Sequence, residues 1–162
     1  MSTTTLDVAE PQLPRLPWTV QDIERILPHR EPFLFVDRID TLEPDRRIVG
    51  ARTWSAAEAQ VLRADGGRAV PGAYLTECMA QVGALLVLSK PANRGRLIYF
   101  MKVDRVRFRA PVSAGQTLQV EAWPVALRGR RGTLDGVARS GGRVVAEGRM
   151  TFALGDRHGA SA

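Results

Sequence analysis

The chain has 162 residues, 44% of them hydrophobic and 25% charged, with a formal net charge of +6. That is enough for one well-packed domain and too little for two, and no stretch approaches the roughly 18 to 20 apolar residues of a membrane span. Cys78 is the single cysteine, which excludes an intrachain disulfide and fits a reducing compartment, so a cytoplasmic protein is expected.

Met1 to Gln12 lacks a basic start followed by an apolar run, so no secretory signal is read there. Residues 1 to 18 carry Pro11, Pro14 and Pro17 without an apolar period, which predicts a flexible N-terminal tail. Thr19 with Asp22 three positions on makes a capping box that opens a short helix, and Pro28 stops it. Phe33 to Asp40 and Arg46 to Trp54 read as strands around a turn at Glu43-Pro44-Asp45. Ser55 and Glu58 form a second capping box, ahead of a helical segment from Ala56 to Leu62.

Pro71-Gly72 then introduces Ala73 to Ser89, which is apolar nearly all the way round and so predicts a buried helix. Pro91, Asn93 and Gly95 end it. Leu97 to Phe108, Gln116 to Leu127, Thr133 to Arg139 and Arg143 to Leu154 alternate in hydropathy, with turns at Ala114-Gly115, Arg128 to Gly132 and Gly141-Gly142. A long apolar helix followed by antiparallel strands is an α+β arrangement in which the sheet wraps the helix. The domain is expected over residues 19 to 155, with a second flexible tail from 156 to 162. So small a sheet leaves edges open, and pairing with a second copy or a relative closes them, so a dimer is expected.

Glu77 is the strongest candidate for chemistry. A carboxylate in the second turn of an apolar helix is costly unless hydrogen-bonded or paired, and an environment that disfavours the charge suits a general acid. The alternative is that it only complements the helix dipole. Gln81, one turn on, is placed to hydrogen-bond that carboxylate, or is an ordinary interface polar. Gly72 would let a ligand approach its backbone N–H, where the helix dipole could polarise a thioester carbonyl, although Pro-Gly also simply starts helices. His29 and His158 have no Cys, Asp or second His at ligand spacing, so no metal site is read, and no phosphate loop or dinucleotide fingerprint implies a cofactor. The basic residues are scattered, as in Arg105, Arg107, Arg109, Arg128, Arg130 and Arg131, and aromatics are only 6% of the chain. An acidic protein partner therefore suits the charge better than nucleic acid does.

Three segments resemble one family. Leu27-Pro28-His29-Arg30-Glu31-Pro32-Phe33-Leu34-Phe35-Val36-Asp37-Arg38 is similar to the opening signature of the bacterial 3-hydroxyacyl-acyl-carrier-protein dehydratases. Pro71-Gly72-Ala73-Tyr74-Leu75-Thr76-Glu77-Cys78-Met79-Ala80-Gln81 resembles their central-helix motif, and Arg107 to Val112 with Gly115 resembles the strand and turn that follow. The resemblance implies a hot-dog fold with active sites between subunits, each using a histidine from one protomer and a carboxylate from the other. It also implies a 3-hydroxyacyl thioester on an acyl carrier protein as substrate and no cofactor. The family histidine lies in a His-Phe-Pro-Gly loop, eight positions ahead of the Pro-Gly proline. Counting back from Pro71 reaches Arg63, with Ala64 and Asp65 in place of the Phe and Pro.

Arginine stays protonated and offers only donors, so Arg63 cannot be the base that dehydration needs. A homodimer is thus expected to be inactive, and a dimer with a histidine-bearing hot-dog relative would place that histidine opposite Glu77. Two other readings stand beside this one. A hot-dog acyl thioesterase would use Glu77 alone to activate water, and a non-catalytic module would only bind an acyl thioester or carrier protein.

Overall fold

The computed structural model describes residues 13–62 and 69–156. The outer parts of both expected tails, and Arg63 with its neighbours through Arg68, lie outside the described residues. Helix α1 spans Val20–Ile26, strand β1 Arg38–Glu43, β2 Arg47–Thr53, helix α2 Ala56–Leu62 and helix α3 Gly72–Leu88. After a 3-10 turn at Pro91–Asn93 come β3 (Arg96–Phe108), β4 (Thr117–Arg128), β5 (Arg131–Ser140) and β6 (Arg143–Asp156). The six strands form one antiparallel sheet in the order β1-β2-β4-β5-β6-β3, so β1 and β3 are its edges.

Both capping boxes form. Thr19 and Asp22 exchange side-chain and backbone hydrogen bonds at the start of α1, and Ser55 and Glu58 do the same at the start of α2. The β5–β6 hairpin turns on Gly141 and Gly142, with φ of 56° and 78°, a pair of left-handed positions that glycine adopts without steric cost.

Alternate residues of the strands point to α3. Leu118, Val120 and Ala122 of β4 and Leu134 and Ala138 of β5 are buried against its Met79, Val82, Leu85 and Leu86. Gly83 brings helix and sheet together: a Cβ there would lie 2.9 Å from Leu134 Cδ1. The outward face of the sheet carries charge instead, with Arg149 bidentate on Asp135 and Arg139 on Glu121.

Two expectations need correction. Trp18, assigned to the tail, is buried, pairs with Ile39 at the β1 edge, and donates its indole N–H to Pro14 O at 2.9 Å. An apolar indole with one satisfied donor caps the core here, despite the prolines around it. The first strand begins at Arg38 rather than Phe33. Phe33 O and Phe35 N–H are taken by the side chain of Gln81, so this apolar run does not offer those groups to a strand ladder.

Candidate active site

Glu77 lies in the second turn of α3, where the helix emerges from the core. Leu75, Cys78 and Met79 are buried, whereas the Glu77 side chain is 43% exposed on the single chain. The apolar run thus buries most of α3 but leaves its carboxylate facing an opening.

Gln81 fixes that carboxylate. Its Oε1 accepts the Phe35 N–H at 2.8 Å, and its Nε2 donates to Phe33 O at 2.8 Å and to Glu77 Oε1 at 2.9 Å. A backbone N–H can only donate and a carbonyl can only accept, so the amide has one permitted orientation. That orientation points an N–H at Glu77. Gln81 is itself 1% exposed, and its buried polar atoms make these bonds costly to lose.

Gly72 is the first residue of α3, behind Pro71, and among the described residues no side chain caps this end. Its first-turn N–H groups therefore keep the positive end of the helix dipole available to an acceptor. A Cβ at Gly72 would lie 2.8 Å from the Phe108 ring, so glycine is required for packing as well. Gly72, Leu75, Phe108 and Arg109 line a cleft of about 500 Å³ at this end of the helix.

The sequence reading set aside His29, and the structure brings it to Glu77. Its Nε2 lies 3.5 Å from Glu77 Oε1, and the ring is 32% exposed on the same opening. The loop that carries it is clamped by Arg30, whose guanidinium donates to Leu27 O, His29 O and Glu24 O at 2.7–2.9 Å. The signal was present in the Leu27 to Arg38 segment as a block, but nothing local gave its histidine a role. Cys78, next to Glu77 in sequence, points the other way into the core. Burial pushes its thiol far up, which removes it as a nucleophile.

A long central helix packed on a six-stranded antiparallel sheet places the protein in the hot-dog class. The structure is similar to the dehydratase heterocomplex ApeI:P from Xenorhabdus doucetiae, with a TM-score of 0.74 and 19% identity over 89% of this chain and 94% of that one. It is also similar to a hot-dog-like protein from Thermanaerovibrio acidaminovorans, with a TM-score of 0.59 and 17% identity over 72% and 85% of the two chains.

Sequence relatives narrow the class. The FabA-like domain model matches residues 27–149. The 3-hydroxyacyl-acyl-carrier-protein dehydratase FabZ of Roseiflexus sp. (strain RS-1) is 42% identical over 137 residues, 84% of this chain and 96% of that protein. FabZ of Anoxybacillus flavithermus is 40% identical over 139 residues, 85% and 98% of the two. The chain belongs to the FabA-like family of FabZ-type 3-hydroxyacyl-acyl-carrier-protein dehydratases.

Proposed function

We propose that this chain is one subunit of a 3-hydroxyacyl-acyl-carrier-protein dehydratase of fatty-acid or polyketide and polyene synthesis. In this reading it supplies Glu77 to a site that a histidine from a histidine-bearing relative completes. The observation that carries the proposal is the Glu77 carboxyl, exposed at the mouth of α3 and oriented by Gln81, in a member of a dehydratase family.

The chemistry assigns each group a part. The partner's imidazole removes a C2 proton, the electron pair forms the C2–C3 double bond, and the C3–O bond breaks as Glu77 protonates the departing hydroxyl. Water and a 2-enoyl thioester result. The Gly72 N–H, at the uncapped start of α3, would hold the thioester carbonyl as negative charge builds on it. The acyl chain would enter by the cleft beside Phe108. A second copy of this chain would offer Arg63 at the family's histidine position, and a guanidinium cannot take the C2 proton. The Xenorhabdus neighbour is described as a dehydratase heterocomplex, which supports unlike pairing in this fold. A net charge of +6 suits an acidic carrier protein as the bearer of the substrate.

The test is enoyl thioester formation from a 3-hydroxyacyl thioester by the chain alone and mixed with a histidine-bearing homologue. Turnover by the mixture is expected, and in it Glu77→Gln should cost about 10² to 10⁴ in rate, the usual share of a general acid–base group. Arg63→Ala should leave that rate nearly unchanged, because Arg63 would face the other site. Crippling by Arg63→Ala with a harmless Glu77→Gln would overturn the assignment. Release of free acid instead of enoyl product would establish the thioesterase chemistry in its place.

A further inference from the structure

Glu77 has two oxygens, and the structure treats them differently. Oε1 receives the Gln81 amide at 2.9 Å and faces the His29 ring, whose Nε2 is 3.5 Å away. Among the described residues Oε2 makes no hydrogen bond or ion pair. Oε1 accepts one hydrogen bond, from Gln81, and faces a ring nitrogen at ion-pair distance, so a proton added to the carboxyl is better placed on Oε2, away from both.

The surroundings of His29 are equally one-sided. Its Nδ1 is buried without a hydrogen-bond partner among the described residues. A buried unpaired N–H costs more than a buried lone pair of a ring that donates elsewhere, so the tautomer with its proton on Nε2 fits this loop. That is the form that turns an N–H toward Glu77 Oε1, 3.5 Å away. The ring is held from behind as well: Leu27 is fully buried, Arg30 binds the His29 and Leu27 carbonyls, and Gln81 binds Phe33 and Phe35 a few residues further on. The segment carrying His29 and the side chain carrying the second donor are thus one rigid unit pressed on α3.

We propose that His29 is a positioning residue for the Glu77 carboxyl: with Gln81 it occupies Oε1 and turns Oε2 to the substrate hydroxyl. The proposal rests on the dehydratase reading above and adds to it a group from this chain that touches neither substrate nor reacting atoms. It also separates the two histidines of the mixed site. The partner's histidine moves the C2 proton, and His29 holds the acid that answers it.

Two measurements test it. The first uses a mixed dimer of this chain with a copy carrying Arg63→His, Ala64→Phe and Asp65→Pro as the histidine donor, and the 3-hydroxydecanoyl N-acetylcysteamine thioester as substrate. His29→Phe in the Glu77-donating half should lower kcat about tenfold with KM unchanged, the loss that goes with one hydrogen bond to an ionisable group. His29→Gln, which keeps an N–H near the Nε2 position, should restore most of it. A raised KM with unaltered kcat, or equal loss in His29→Gln and His29→Phe, would make His29 a structural residue only. If Glu77→Gln itself is silent in a turning-over dimer, the dehydratase reading fails before the question of His29 arises.

The second measurement needs no partner and decides the matter should the mixed dimer not turn over. The infrared difference between the chain and its Glu77→Gln variant, taken in acid, isolates the C=O stretch of the protonated Glu77 carboxyl. That band should move to higher frequency in His29→Phe, because its oxygen loses a donor, and stay in place in His29→Gln. An unmoved band in His29→Phe would overturn the proposal.

Discussion

Neighbouring residues of α3 meet opposite environments, and their chemistry follows from that. Glu77 opens to solvent and is aimed by a buried amide, while Cys78, one position on, is enclosed with no exposure. Removing a thiolate from water is the dominant cost at Cys78, and it holds the thiol protonated well beyond neutral pH. The native chain should therefore resist iodoacetamide at pH 8 and label stoichiometrically once unfolded, as mass spectrometry would read directly. Rapid labelling of the folded chain would show that α3 opens on the timescale of the reagent. The site was only partly legible before folding. Glu77 and Gln81 stand four apart on one helix, so their contact follows from helical geometry alone. His29 reaches Glu77 across 48 positions of sequence, through a loop fixed by Arg30 and Gln81, and no local pattern encodes that.

At the scale of elements, local rules were sufficient where the partners are local. Both capping boxes and the Gly141-Gly142 hairpin formed as read, because each is closed within a few residues. The start of β1 was misplaced because its competitor, Gln81, lies more than forty residues away. The α1 cap gives a pH prediction. Asp22 sits below its ordinary carboxyl value of 3.8 because the Thr19 N–H and hydroxyl both bind its charged form. A depressed folded value stabilises above the ordinary one and is lost as pH falls through the lower one. Asp22→Asn should thus melt below the parent at neutral pH, and the gap should close on acidification below about pH 3.8. A gap constant down to acid would exclude the carboxylate as its source.

Helix α2 is tied down by a second device. Arg52 of β2, with only 12% of its side chain exposed, binds Asp37 at 2.7 Å and also binds Glu58, and it lies 5.5 Å from the Trp54 ring centre. Its three partners come from the loop before β1, from α2 and from the residue that follows β2, so one guanidinium ties α2 to the sheet. Arg52→Met keeps the stem and removes the charge, leaving two carboxylates without their cation. A loss of about 1 to 3 kcal/mol in urea unfolding is expected, discounted for the partial exposure of both acids. A change under about 0.5 kcal/mol would mean that water replaces the guanidinium at no cost.

The whole molecule ends its sheet on an unprotected strand. Among the described residues β3 pairs only with β6, and along its thirteen residues Tyr99, Met101 and Val103 are at least half exposed. The opposite edge is protected at Ile39 by the Trp18 bridge, so the two ends of the sheet are not equivalent. An open edge with apolar side chains is a template for a further strand, and closed two-fold pairing is the commonest way a chain satisfies one. The edge also runs to the site: Phe108, the last residue of β3, lies over Gly72 at the start of α3, one and a half turns before Glu77. A chain docked along β3 would thus be carried toward the opening that Glu77 faces, as a site shared between subunits requires. Met101→Lys with Val103→Lys puts two charges on that edge without touching the core, since both side chains point out of it. If subunits pair along β3, the parent should sediment as a dimer and the doubly substituted chain as a monomer, with its circular dichroism unchanged. On the mixed-dimer proposal it should also fail to pair with a histidine-bearing relative, and so lose turnover while Glu77, Gln81 and His29 remain intact. A variant that still dimerises would place the subunit contact elsewhere on the surface and remove the link between the β3 edge and the Glu77 site.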